Sequence, residues 1–167
     1  MMDGVRVVRV PVAFRFNKGV FMLGFIPAAL REIRAHDVVS IHLPQVEAAL
    51  ATLLARIGGR RPVLTYHCDL QMPPVWYGRL VDRVTYWDNM LSGRLAEAIV
   101  AYTEDYARHS PFLSRFLGAG LGGRKAGSGK VRVILPPVVI PQPSAAGMAA
   151  LRERVGLTDG QQAIGFA

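Results

Sequence analysis

Apolar residues along this chain fall into short runs that alternate with longer stretches of helical spacing. Residues 5–10 are β-branched and stop at Pro11, which predicts a strand. Residues 21–34 place Leu23, Ile26, Leu30 and Ile33 at helical spacing, with Pro27 as a kink. Residues 37–42 form a short strand. Val46, Ala49, Leu50, Leu53, Leu54 and Ile57 then make the stripe of a helix that Gly58-Gly59 terminates. Residues 62–67 are the next strand. Leu80, Val84, Trp87 and Leu91 mark a long helix closing near Gly93, and residues 97–102 are a third strand. Thr103 can cap the following helix, with Glu104 and Asp105 at its positive end. Ser110-Pro111 is the pattern of a fresh helix start, and residues 130–135 of a further strand.

Strands separated by helices of this length cannot be hairpin partners, so they cross over and pair in parallel. The expected class is α/β: an open parallel sheet with helices on both faces. The unbroken apolar pairs Val38-Val39, Val63-Leu64 and Ile99-Val100 suit strands buried on both sides. Residues 118–129 read as an exposed glycine-rich loop. Residues 136–143 carry four prolines and read as a stiff connector, followed by a short helix with Met148, Leu151 and Val155 that Gly156 ends. Residues 162–167 have the pattern of one more strand.

Composition narrows the class. Of 167 residues, 51% are hydrophobic and 19% charged, enough to bury a core, which excludes a disordered tail. One cysteine, Cys68, excludes a disulfide framework and any cysteine-rich zinc module; its place beside His67 on a strand predicts a buried small hydrophobe. No apolar run is both long and unbroken enough to span a bilayer, and no secretory signal opens the chain, so a soluble, cytoplasmic chain is expected. The net charge is +8. No acidic residue lies between Asp105 and Glu153, whereas Arg108, Arg115, Arg124, Lys125, Lys130, Arg132 and Arg152 do. No aromatic residues interleave with the basic loop as base stacking would need, so nucleic acid is not the expected partner. The charge is either a solvated face or a surface for an anionic partner, such as the inner face of a membrane.

Two phosphate-loop patterns fail on context. Gly118-Ala-Gly120-Leu-Gly-Gly123 has dinucleotide-fingerprint spacing but follows a helix rather than a strand. Gly127-Ser-Gly129-Lys130 is followed by Val131, not by the hydroxyl residue that would hold magnesium. Position is the better signal. Ligands of open parallel sheets bind beyond the carboxyl ends of the strands. Two successive strands end in His42 and His67 and a third at Tyr102-Thr103, with Pro44, Asp69 and Gln71 just beyond. His36 and His109 fall on other faces, leaving no third ligand for a metal, and no nucleophile elbow supports Ser/His/Asp hydrolysis.

Four segments carry a resemblance. HDVVSIHLP (36–44), VLTYHCD (63–69), AIVAYTEDYARHSPFL (98–113) and KVRVILPPV (130–138) occur in the order seen in family 4 glycosyltransferases. The chain resembles their amino-terminal domain over nearly its whole length. The resemblance implies the amino-terminal half of a GT-B fold, in which two Rossmann-like domains face a cleft. The acceptor lies mainly on the first domain and the nucleotide-sugar, a co-substrate rather than a cofactor, on the second. It also implies a retaining sugar transfer to a glycan or lipid-linked acceptor, without metal. His67 matches the cleft histidine, expected to be catalytic through contact with the donor sugar near the reacting carbon. Asp69 sits where a polar group meets acceptor or sugar. His42 and Pro44 match the preceding strand-end block, and Thr103, Tyr106 and Ser110 the block after the third strand; with Gln71 these are the expected substrate-binding residues.

The sequence departs from that pattern in three places. The opening strand and its glycine-rich loop are missing before Met1, residues 118–129 look inserted, and a donor domain is missing beyond Ala167. The expected division is therefore a partial acceptor-side domain over residues 1–140, a connector with a short helix over 141–160, and the first strand of a donor-binding domain over 161–167. Such a chain is expected to be inactive alone. The alternative is a non-catalytic α/β binding module that uses its basic surface for an anionic partner.

Overall fold

The computed structural model describes residues 4–16, 19–121, 128–137, 144–158 and 160–161. They belong to two units, residues 1–135 and 136–167, each considered by itself. In the first, β1 (Phe14–Phe16) and β2 (Gly19–Phe21) form an antiparallel hairpin that stacks the rings of Phe14 and Phe21 4.6 Å apart. Then come α1 (Phe25–Ala35), β3 (Val38–Leu43), α2 (Ala48–Ile57), β4 (Arg61–Tyr66) and α3 (Trp76–Leu95). β5 (Ala98–Ala101), α4 (Glu104–His109), two short 3₁₀ turns (Leu113–Arg115 and Ala119–Leu121) and β6 (Val131–Val133) complete the unit. β3, β4, β5 and β6 lie side by side in that order, all parallel. This is the expected class: an open, Rossmann-like α/β sheet flanked by helices.

The register builds the core. Ile41 pairs with Leu64, Leu64 with Ile99 and Ile99 with Val131, so one buried aliphatic row crosses all four strands. Leu43, Tyr66 and Ala101 extend the same face, and Phe112, Leu113 and Phe116 pack against it. Side chains alternate along a strand, so the row His42, Thr65, Val100 and Arg132 belongs to the opposite face. That face is half-buried at Thr65 and Val100 and exposed at His42 and Arg132. Burial on both sides of every strand, expected from the apolar pairs, is therefore not what the residues show: Val63 and Val100 are only half-buried.

Several local expectations shift. Residues 6–10 lie in no strand, and Val5, Val7 and Val8 are exposed, because β-branched composition does not by itself fix a strand. Arg6 instead pairs with Glu32 of α1, and that hydrogen bond holds the Glu32 carboxyl below its ordinary range. Pro27 occupies the first turn of α1, where its missing N–H costs no intrahelical bond, so it does not act as a mid-helix kink. α3 ends at Leu95, near Gly93 as expected, and Gly93 itself lies buried in the last turns, where an added Cβ would come within 2.6 Å of the Phe116 ring. Ser110 caps the end of α4, and the chain continues through Pro111 into a 3₁₀ turn rather than an α-helix.

In the second unit, α5 (Ala145–Arg154) is capped by Ser144, whose Oγ accepts the Gly147 N–H at 3.0 Å, and ends before Gly156 at φ +70°. Residues 122–127, 138–143 and 162–167, which include much of the expected loop, most of the connector and the last expected strand, lie outside the described residues. Among the described residues no helix is long and apolar enough to cross a membrane.

Candidate active site

Three strand ends bring an imidazole pair and a phenol together. His42 is the penultimate residue of β3; His67 follows β4 and extends its ladder by donating its N–H to the Leu43 carbonyl at 3.1 Å. Since Thr65 pairs with Val100, Tyr102 comes opposite His67, on the same face as His42. Nδ1 of His42 lies 2.8 Å from Nε2 of His67, and the Tyr102 hydroxyl lies 2.7 Å from Nδ1 of His67. The two imidazoles are near-parallel with centroids 5.1 Å apart, while Tyr102 meets His67 edge-on at 5.4 Å. Both histidines remain exposed.

The hydrogen-bond logic is tight. If Tyr102 donates to Nδ1, His67 carries its proton on Nε2 and donates to His42. If His42 donates instead, His67 carries its proton on Nδ1 and donates to the phenol oxygen. The row is a continuous hydrogen-bond chain that two proton arrangements satisfy, and both nitrogens of His67 are engaged. Any ligand hydroxyl reaching Nε2 of His67 has to displace His42, while the Tyr102 contact stays on Nδ1.

The other expected residues do something different. The Asp69 carboxylate accepts three hydrogen bonds: from Tyr66 at 2.9 Å and Ser110 at 2.9 Å on one oxygen, and from Tyr106 at 2.7 Å on the other. The Asp69 N–H donates back to the Tyr106 hydroxyl at 2.6 Å. Thr103 accepts the Tyr106 N–H at 3.2 Å, as its capping position predicts, and Ser110 also accepts the Leu113 N–H at 3.3 Å. Burial, and after it the neighbouring Asp69, push both the Tyr66 and the Tyr106 phenols up from their ordinary value, so both stay neutral donors. The structure thus gathers Asp69, Tyr106 and Ser110 around the segment that carries His67. Tyr66 is the member sequence reasoning missed: alternation puts it on the core face, but nothing local signals that its hydroxyl reaches Asp69. Gln71 is exposed, and Cys68 is exposed rather than buried.

Pro44 lines something else, a cavity of about 430 Å³. Phe21, Val46, Leu70, Met72, Val81 and Val84 make its walls largely apolar, and Asp88 is its acid. Oδ1 of Asp88 accepts the Ala49 N–H at 3.3 Å, whereas the buried Oδ2 has no partner; burial pushes this carboxyl up to about 6. The basic stretch is partly spent within the fold: Lys130 donates to the carbonyls of Gly93 at 3.2 Å and Arg94 at 2.7 Å, capping the negative end of α3. Among the described residues no three His, Cys, Asp or Glu side chains cluster closely enough to hold a metal ion.

Compared with protein-family models, residues 1–115 match the glycosyl transferase 4-like domain. The match takes in both histidines, the Asp69 cluster and more than half of the chain. The chain belongs to this family. No curated protein matches it, and no solved structure does. All eight expected site residues of this glycosyltransferase 4-like domain fall inside the matched segment, which ends before β6.

Proposed function

We propose that this domain serves the transfer of a sugar from a nucleotide-sugar to a glycan or lipid-linked acceptor, with retention at the anomeric carbon, and that His67 is its cleft residue. The observation that carries the reading is the His67 ring, fixed from both sides at the carboxyl rim of a parallel sheet. Breaking the bond between anomeric carbon and phosphate leaves positive charge on the carbon and negative charge on the departing oxygen. The acceptor oxygen forms the new bond, and its proton passes to the departing phosphate. His67 positions the sugar by exchanging its bond to His42 for one to a sugar hydroxyl, and His42 becomes a second contact. The apolar cavity beside Pro44 favours the lipid-linked member of the two acceptor classes.

The test is sugar-transfer turnover in the active enzyme. His67→Ala is expected to lower kcat/KM about a hundredfold, the size of a positioning loss, with the far-UV circular dichroism spectrum unchanged. Wild-type turnover in that variant would remove His67 from the site.

A further inference from the structure

α3 is apolar on the wrong side for a helix whose only task is to cover a sheet. Inward it presents small residues: Gly78, Ser92 and Gly93 are buried, together with Asn89 and Met90. Outward it presents large ones. Trp76 is 79% exposed and Trp87 59%, and Leu80, Val84 and Leu91 are exposed with them. At about 100° per residue these five fall within an arc of about 80°, one continuous stripe along the helix. Every exposed charged side chain of α3 is an arginine: Arg79, Arg83 and Arg94. Its two acids are turned to other work, Asp82 accepting the Met72 N–H at 3.0 Å and Asp88 the Ala49 N–H.

We propose that this face of α3 docks the domain on an anionic phospholipid membrane, lying in the plane of the interface. The inference stands apart from the sugar-transfer reading. Contiguous exposed apolar surface marks an interaction site, and here the chemistry selects the occupant. Indole rings favour the headgroup boundary, aliphatic side chains the first acyl carbons, and guanidinium groups the lipid phosphates. The chain's net charge of +8 draws it to a negative surface before contact. A second copy docked antiparallel on the same face would bring the two arginine flanks together on one side, which disfavours that pairing.

The molecule carries its own probe, since Trp76 and Trp87 are the only tryptophans in the sequence and both lie on the stripe. With the chain as it stands, equimolar phosphatidylglycerol and phosphatidylcholine vesicles should shift tryptophan emission to the blue. Lipids brominated along the acyl chain should quench it, and added salt should weaken the binding. The Leu80→Glu/Leu91→Glu double variant should lower partitioning by about tenfold or more, with unchanged circular dichroism. Arg79→Glu/Arg83→Glu should weaken binding to the anionic vesicles. Unchanged emission and no bromine quenching would overturn the proposal, and quenching on the unmodified chain decides it even if a variant misfolds. Wild-type binding by the double-glutamate variant would move the contact elsewhere. A lipid-free blue shift that grows with protein concentration, with dimer mass in light scattering, would assign the stripe to a second copy.

Discussion

Asp69 shows how a single carboxylate can be committed to architecture while standing two residues from His67. Its three donors include Tyr66 and Ser110, both almost fully buried. Removing their shared acceptor leaves buried hydroxyls without partners. Asp69→Ala is therefore expected to cost about 1–3 kcal/mol in urea unfolding, and Asp69→Asn, which keeps one acceptor oxygen, less. Asp88 gives a pH-dependent counterpart. Burial raises its carboxyl from 3.8 to about 6, so between those values the folded chain holds a proton that the unfolded chain has released. The unfolded state binds fewer protons there, so stability falls as pH rises through that window and levels off above it. Melting temperature measured against pH should show this slope, and Asp88→Asn should flatten it. The histidines were legible because strand-end position is written in the alternation. The bonds of Tyr106 and Ser110 to Asp69 were not, since a side-chain hydrogen bond across 37 or 41 residues leaves no local trace.

At the scale of elements, periodicity identified α1 to α4 and the four parallel strands, because each has an apolar face that needs cover. It could not say which face. The spacing of Leu80, Val84, Trp87 and Leu91 gives α3 its helical period, yet the inward face is the one with glycines. An added Cβ at Gly78 would lie 2.1 Å from the Pro73 carbonyl oxygen, so the start of α3 sits against backbone that cannot easily yield. Gly78→Ala is expected to destabilise the fold by about 1–3 kcal/mol despite its better helix propensity, measured as a lower urea midpoint. The hairpin of β1 and β2 escaped notice because its strands are three residues each, too short for alternation to register. Residues 5–10 made the opposite error possible, having strand composition although residues 6–10 lie in no strand.

For the whole molecule, net charge does not by itself locate a contact surface. The long stretch without acids suggested that the cationic surface lay after Asp105, but Lys130 is used on the carbonyl end of α3 and Arg132 bonds the Gly129 carbonyl at 2.5 Å. The arginines that accompany exposed apolar surface belong to α3 instead. The imidazoles and the exposed apolar stripe thus belong to two products of the same strand–helix repeat: the carboxyl rim of the strands holds the first, and the outer side of a crossover helix holds the second.

Pairing His42 with Thr65 also fixes where its ring can be. Because strand side chains alternate strictly, sliding β3 along β4 by a single position would carry His42 to the far side of the sheet and push Ile41 and Leu43 out of the core. Misalignment would therefore separate the two imidazoles and expose the aliphatic layer in one event, so the register that packs the core is the same one that brings His42 and His67 to a shared face.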